Sequence, residues 1–260
     1  MSLFDAHNHL HDSRLDDIRE AAIAKLGGEG IRGSMVNGTS EADWPAVAAL
    51  AARVPWVLPS FGLHPWHVPR RSSVWKEALT SALDAHPGAG VGEIGLDRWI
   101  EGHDLPDQID CFAWQLELAA RRNLPVSIHC IQAWGALWDS LKRTPLPARG
   151  YLIHAYGGPA EMLPGFVKLG AYFSFSPYFL HERKSAQREA FAAMPLERLL
   201  VETDAPDLAP PVERNPNPLA GNINHPANLM MCYEALAALR GITVEALAAQ
   251  VAENFGRWTK

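Results

Sequence analysis

Two histidines stand one residue apart near the start of the chain, His7 and His9 in the segment Asp-Ala-His-Asn-His. If this segment is a β-strand, both side chains point to the same side, because side chains alternate along a strand. Two neutral imidazoles on one side can chelate a divalent metal ion. Because short motifs also arise by chance, the pair alone leaves a surface or core role open.

Four more metal-competent side chains lie within or directly after apolar, β-prone segments. They are Glu93 in Val-Gly-Glu-Ile-Gly, His129 in Ser-Ile-His-Cys, His154 in Leu-Ile-His-Ala and Asp204 in Glu-Thr-Asp-Ala-Pro. A carboxylate buried at Glu93 needs a cation, which an ion pair with Arg98 or a bridge between two metal ions would supply. No lysine stands at a predicted strand end, so a carbamylated lysine cannot take the bridging place.

Each of these residues also has a purely structural interpretation. A single histidine at the end of a strand is as often a satisfied core residue, and an aspartate after a strand commonly caps a helix. Their combined occurrence favours a metal site, in which Asp204 joins His7 and His9 and also orients or deprotonates the attacking water. Glu202 would face the same side of its strand as Asp204, where it supports a ligand or forms an ion pair.

His64, in Phe-Gly-Leu-His-Pro-Trp, follows another apolar segment and is not needed to fill a metal site. Such a histidine can hold a substrate oxyanion or protonate a leaving group near neutral pH, or have no role at all. His225 lies in a Pro- and Asn-rich segment, residues 204–227, and could approach the site. The remaining histidines are expected in loops or on the surface, and they are His11, His67, His86, His103 and His181.

These side chains can act together only if the strands that carry them end at one place. Eight β-prone runs alternate with segments of helical periodicity. The predicted strands are 3–7, 31–39, 56–63, 90–96, 125–130, 151–155, 171–176 and 199–203. The predicted helices are 16–26, 41–53, 72–86, 108–122, 132–142, 159–169 and 182–194, followed by 228–240 and 243–255.

Strict alternation of strands and helices implies an α/β fold with parallel strands, and eight units are the number that closes a (β/α)8 TIM barrel. A doubly wound open sheet is the alternative. We expect residues 1–260 to form one domain, with the last two helices as a C-terminal helical extension. In such a barrel all strands end at one face, so the six metal-competent side chains would converge there.

The composition limits the possible partners. The chain has 260 residues, of which 48% are hydrophobic, so it is expected to form a globular fold. Its net charge of −6 gives no overall positive field that would attract nucleic acid or membrane surfaces. A nucleic-acid substrate would need a local site. The sequence shows neither a secretory signal nor a membrane span, which predicts a cytoplasmic protein. Three separated cysteines indicate neither a disulfide framework nor a zinc ribbon.

Six sequence blocks, in this order, resemble the TatD-related deoxyribonuclease family of metal-dependent hydrolases. The blocks are Asp5-Ala-His-Asn-His-Leu10, Gly62-Leu-His-Pro65, Gly92-Glu-Ile-Gly-Leu-Asp97, Leu124-Pro-Val-Ser-Ile-His129, His154-Ala-Tyr-Gly-Gly158 and Glu202-Thr-Asp-Ala-Pro206. The resemblance spans nearly the whole chain. It implies two divalent ions, one held by His7, His9 and Asp204 and the other by His129 and His154, with Glu93 shared.

The resemblance also implies a (β/α)8 barrel that hydrolyses DNA phosphodiester bonds, often from the 3′ end, with His64 near the phosphate. The histidine and carboxylate ligands suit Mg, Mn or Zn ions. The expected enzyme is thus a 3′–5′ exonuclease acting on single-stranded DNA or 3′ ends, and a monomer. Paired ions would lower the pKa of a water that Asp204 positions.

The sequence departs from the family pattern where substrate would bind. Arg98-Trp99 stand where many relatives have an aromatic or aliphatic residue, His11 replaces an acidic residue, and His225 replaces Glu or Arg. Several basic and aromatic residues after the third and fourth strands could hold phosphates and stack bases, with an ordinary solvated loop as the alternative. They are Arg70, Arg71, Arg98, Trp66 and Trp99.

Two other functions compete with the nuclease interpretation. A deacylase or amidohydrolase could act on an ester or amide at the same two ions, because two-ion sites also serve acyl transfer. The acidic net charge favours this alternative. A barrel that has lost catalysis and only binds is the third hypothesis, against which the complete set of six ligand side chains argues.

Overall fold

The computed structural model describes residues 1–260, in which eight strands alternate with α-helices. The strands are β1 (Leu3–Asn8), β2 (Ile31–Asn37), β3 (Val57–Phe61), β4 (Gly90–Asp97), β5 (Val126–Ile131), β6 (Tyr151–Ile153), β7 (Ala171–Phe175) and β8 (Leu199–Val201). The helices are α1 (Arg19–Glu29), α2 (Trp44–Arg53), α3 (Trp75–Ala85), α4 (Leu105–Arg122), α5 (Trp134–Arg143), α6 (Leu163–Lys168), α7 (Ser185–Ala193), α8 (Leu229–Arg240) and α9 (Val244–Thr259). The predicted alternation is confirmed.

All eight strands belong to one sheet, in which each strand pairs in parallel with its neighbour in sequence. The sheet closes between its last and first strands. There the Asp204 amide donates to the His7 carbonyl at 2.9 Å, and the His9 amide donates to the Ala205 carbonyl at 2.7 Å. The fold is therefore a (β/α)8 TIM barrel, and the open doubly wound sheet is excluded.

The strands are buried on both faces. Every residue of β4 and of β7 is buried, as expected when helices cover the outside of a barrel and side chains fill its interior. Helix α4 shows how local sequence sets an element: the Asp104 carboxylate accepts from the Asp107 amide and caps its start, and Arg121 and Arg122 occupy its last turn. The helix begins three residues before the predicted start because of that cap.

Two long connections differ from a simple strand–helix repeat. The predicted helix 159–169 is a 3-10 turn, Ala160–Met162, followed by the short α6, whose first turn contains Pro164. Proline fits the first turn of a helix but not its interior, so a continuous helix through this position is excluded. Residues 204–227 contain no strand and no α-helix, which confirms the predicted long loop after β8.

The last two helices cover the seam between the first and last strands. The Tyr233 hydroxyl in α8 accepts from the Phe4 amide at 3.0 Å and donates to the Phe4 carbonyl at 2.9 Å. In α9, the Asn254 side-chain amide donates to the carbonyls of Leu196 and Leu199. No single helix has the length and apolar composition of a membrane span. The helical segments Pro226–Arg240 and Val244–Thr259 have them only when taken together, and that pair is bent by 106°.

Replacing Tyr233 by Phe is expected to lower the free energy of unfolding by about 1–3 kcal/mol, because two partly buried backbone groups of Phe4 in β1 lose a hydrogen-bond partner. Urea unfolding followed by circular dichroism measures this change. Tyr172→Phe is the matched control, because the Tyr172 ring is buried against Arg198 but its hydroxyl forms no hydrogen bond with a strand. Equal stability of Tyr233→Phe and wild type would show that the hydroxyl does not secure the seam.

Candidate metal centre

The six side chains predicted to bind metal converge at the face where the strands end. All six are buried, and together they lie in or follow five of the eight strands. His7 and His9 are at the end of β1, Glu93 is in β4, His129 is in β5, His154 follows β6 and Asp204 follows β8. Asp204 has a φ of 53°, a conformation that turns the chain sharply after its strand.

The first cluster consists of four ligand atoms. His7 Nε2 and His9 Nε2 each lie 3.3–3.5 Å from Glu93 Oε2 and from Asp204 Oδ1. An ion with ligand bonds of about 2.1 Å places neighbouring ligand atoms about 3–3.5 Å apart. His7 Nε2 and Asp204 Oδ1 are buried without a hydrogen-bond partner, which is costly unless a cation satisfies them. These four atoms therefore fit a divalent ion.

The second cluster surrounds the other oxygen of Glu93. Glu93 Oε1 lies 2.9 Å from His154 Nε2, 3.0 Å from His129 Nδ1 and 3.4 Å from His64 Nε2. His154 Nε2 and His129 Nδ1 are 3.5 Å apart, again the spacing of atoms around one ion. Glu93 thus presents one oxygen to each cluster, the arrangement of a carboxylate that bridges two ions.

His64 was predicted near the substrate rather than among the ligands, and the structure places it beside the second cluster. Its Nδ1 accepts from the Trp66 amide at 3.2 Å, so in the neutral ring the proton is on Nε2, the atom that faces Glu93. A neutral His64 is therefore oriented to donate a hydrogen bond into the second cluster.

Neighbouring polar groups fix the orientation of the histidine rings. His9 donates through Nδ1 to the Asn37 carbonyl at 2.7 Å, which leaves Nε2 with a lone pair for an ion. His7 Nδ1 lies 2.6 Å from the Ser127 hydroxyl. Such outer partners set the tautomer and increase the basicity of a metal-binding imidazole.

Two buried carboxylates support the histidines of the second cluster. Asp97 Oδ2 lies 3.0 Å from His129 Nε2, so the ring donates there and turns Nδ1 toward Glu93. Glu202 lies 3.6 Å from His154 Nδ1 and accepts a hydrogen bond from the Ser174 hydroxyl. This is the supporting position expected of Glu202 from the strand alternation.

The sequence reasoning gave no role to Asn37, Ser127 or Asp97. Strand periodicity contains the signal that could have found two of them, because residues two or four apart share a face of a strand. Ser127 precedes His129 by two residues in β5, and Asp97 follows Glu93 by four in β4. Asn37 has no such relation to a ligand in its own strand.

The electrostatic environment keeps the two carboxylates and two of the histidines in the forms that bind metal. Burial opposes ionisation of Glu93, but the neighbouring His64, His154 and His7 outweigh it and hold the pKa of this carboxyl well below its usual range. The pKa of Asp204 is also below its usual range, because His9 and the other histidines offset burial. Burial lowers the pKa of His7 and of His64 to about 4, so both rings are neutral at pH 7. For His9, His129 and His154, in contrast, the facing carboxylates outweigh burial and raise the pKa, which favours the protonated ring until an ion binds.

Exposed residues surround the mouth of the site. Trp66 is 41% exposed, Trp99 is 65% exposed and Arg98 is exposed, as a substrate-binding rim requires. Arg71 is not free for phosphate, because its guanidinium forms two 2.8 Å hydrogen bonds with Asp107. Of the three arginines predicted to contact phosphate, Arg70 and Arg98 remain available, and both are exposed.

Two other histidines have structural contacts of their own. His11 lies in a turn, as expected, but its side chain is only 6% exposed and lies 3.6 Å from the Asp43 carboxylate. His225 was considered as a residue that could approach the site; its Nδ1 accepts from the Ala227 amide at 2.9 Å and caps the turn before α8.

Comparison with known proteins gives consistent results along the chain. The family described as TatD related DNase matches residues 4–260. The uncharacterized metal-dependent hydrolase YjjV of Escherichia coli is 31% identical over 252 residues, which cover 96% of this chain and 95% of that protein. The 3′-5′ ssDNA/RNA exonuclease TatD of Salmonella typhimurium is 28% identical, covering 97% and 96%.

Solved structures show the same relationship. The crystal structure of YjjV superposes with a TM-score of 0.90 at 29% identity, covering 99% of this chain and 97% of that one. A TatD family hydrolase from Entamoeba histolytica has a TM-score of 0.87 at 15% identity over 99% and 97% of the two chains, a likeness of fold. With its buried histidine and carboxylate clusters, this chain belongs to the TatD family of metal-dependent hydrolases.

Proposed function

We propose that this enzyme is a 3′–5′ exonuclease that hydrolyses phosphodiester bonds of single-stranded DNA with two divalent ions. The observation that carries the proposal is the position of Glu93, whose two oxygens each face a separate cluster of ligand atoms. Two ions close together suit in-line displacement at phosphorus, because both the attacking and the leaving oxygen are stabilised. The exonuclease name of the Salmonella relative supports the choice of substrate.

Each cluster has its own residues in this proposal. His7, His9 and Asp204 hold one ion, His129 and His154 hold the other, and Glu93 is shared. Bound ions supply Lewis acidity at the phosphate, and Mg, Mn and Zn are the candidates.

The protein supplies a proton acceptor and a hydrogen-bond donor. Asp204 belongs to the first cluster and is ionised at neutral pH, so it orients the attacking water and accepts its proton. The neutral His64 donates a hydrogen bond from Nε2 to an oxygen of the scissile phosphate, and the leaving oxygen takes up a proton from water. Because both groups are fixed before substrate arrives, little reorganisation is needed during the reaction.

The experiment is hydrolysis of single-stranded DNA labelled at the 3′ or the 5′ end, with Mg or Mn and with chelator, alongside elemental analysis of the protein. We expect chelator-sensitive shortening, immediate loss of a 3′ label and two ions per chain. A metal-loaded protein that cleaves neither DNA nor an RNA strand would contradict the proposal. A panel of esters, amides and acylated compounds would then test the deacylase or amidohydrolase alternative.

Replacing Arg98 by Ala is expected to weaken single-strand binding about 3- to 5-fold and to reduce the slope of log affinity against log salt by about 1. Arg98 is exposed beside the site and forms no ion pair, so its charge is available to a phosphate. Fluorescence anisotropy at several salt concentrations measures both effects. Arg32→Ala, at the opposite end of the barrel in β2, is the control, and equal effects of both changes would remove Arg98 from the binding site.

A further inference from the structure

A single buried carboxylate connects the candidate metal centre to the exposed rim. Asp97 Oδ2 accepts from Trp66 Nε1 at 2.7 Å and also faces His129 Nε2 at 3.0 Å. Asp97 Oδ1 accepts from the amides of Trp99 and Ile100 at 2.6 and 3.1 Å. One side chain therefore fixes a metal-facing histidine and the positions of two exposed tryptophans.

The Trp66 ring lies beside the second cluster, with its plane perpendicular to the His64 ring. Its centroid lies 5.2 Å from that of His64 and 6.5 Å from that of His129. Nevertheless, 41% of the residue remains open to solvent. Trp44, Trp75 and Trp258, in contrast, are at most 5% exposed. The indole is thus immobilised without being buried.

The chemistry of this rim matches a nucleobase better than an acyl chain. An indole surface stacks on any flat base irrespective of sequence. Arg98 stands between Asp97 and Trp99, and its exposed guanidinium suits the neighbouring phosphate. An aliphatic acyl group would use the aromatic surface but would have no need of the cation.

We propose that Trp66 is the platform on which the unpaired base next to the scissile phosphate stacks, and that Asp97 is a positioning residue that sets the distance between this platform and His129. This inference rests on the proposed nuclease function and deepens it. A base in a duplex cannot reach the platform until it unpairs, so the same contact selects single strands and frayed 3′ ends.

The test compares 3′ ends that carry a base with otherwise identical ends whose last nucleotides are abasic. Wild type should cleave the base-bearing strand with the lower KM, and Trp66→Ala should raise KM for that strand about 5- to 100-fold with a smaller change in kcat. For the abasic strand, Trp66→Ala and wild type should be alike. Trp66→Phe keeps a ring and should retain part of the preference.

Asp97 has a separate readout. Asp97→Asn should diminish the preference for base-bearing ends, because its single acceptor oxygen cannot serve both Trp66 and His129 on one side and the Trp99 and Ile100 amides on the other. Trp114→Phe, a partly buried ring of α4 packed against Trp75, is the control and should change nothing. A wild type that cleaves base-bearing and abasic strands equally would overturn the platform while leaving the nuclease function intact.

Binding of a phosphorothioate oligonucleotide separates the two proposals. Tryptophan fluorescence should be quenched in wild type and much less in Trp66→Phe, whether or not the strand is cleaved. Quenching without any cleavage of ordinary DNA would contradict the nuclease function but keep the platform. If there is neither quenching nor cleavage, both proposals are wrong.

Discussion

Replacing Glu93 by Gln is expected to lower kcat/KM by about 100- to 10,000-fold, corresponding to the several kcal/mol that a metal centre contributes to a transition state. The amide has the shape of the carboxylate but no charge, and it offers only one acceptor oxygen. Because Glu93 presents an oxygen to each cluster, both clusters lose a ligand or its charge. The bound metal should fall from two ions to one or none.

Kinetics on labelled single strands and elemental analysis of the same preparations measure these two effects together. Glu189→Gln, an exposed residue of α7, is the matched control and should behave as wild type. A Glu93→Gln variant that keeps both ions and at least a third of the wild-type rate would show that this carboxylate is not the bridge.

Replacing Gly95 by Ala is expected to lower the free energy of unfolding by about 3 kcal/mol or more, the largest stability effect we predict. Gly95 lies in β4 with a backbone φ of 149°, a conformation that residues other than glycine rarely adopt. An added Cβ would come within 2.0 Å of the His129 carbonyl oxygen in the paired strand β5. The two strands would have to separate beside the second cluster.

Urea unfolding of the metal-free protein measures the loss without a contribution from bound ions. Gly135→Ala in α5 is the control, because nothing lies within 4 Å of its added Cβ and alanine favours a helix. The control should be as stable as wild type or slightly more stable. A Gly95→Ala protein of wild-type stability would mean that β4 and β5 can shift at no cost.

The barrel was predictable because its signals repeat along the chain. Each strand is a short apolar run, and parallel strands joined by helices leave few other arrangements for eight units. The position of Asp204 followed from the same rule, since a residue after any strand of a barrel lies at the same face. The helix 159–169 shows where the approach fails, because periodicity alone did not place the break that Pro164 imposes.

The partners of side chains were less predictable than the positions of strands. Arg71 is paired with Asp107, a residue of α4 that nothing in the local sequence connects with it. His11 faces Asp43 from another loop, so its burial depends on how two connections fold over the same face. In the sequence, Asp97 is one more carboxylate at the end of a strand. Only the structure shows that it faces both Trp66 Nε1 and His129 Nε2. Contacts of this kind depend on tertiary geometry.

The place where the barrel closes determines when the metal centre can form during synthesis. His7 and His9 belong to the first strand to leave the ribosome, whereas Asp204 follows the last. A nascent chain therefore has two ligands of the first cluster long before it has the last one, and domains fold as units. Tight binding of an ion at this cluster would wait until the seam is closed. An ion there would thus report a completed barrel.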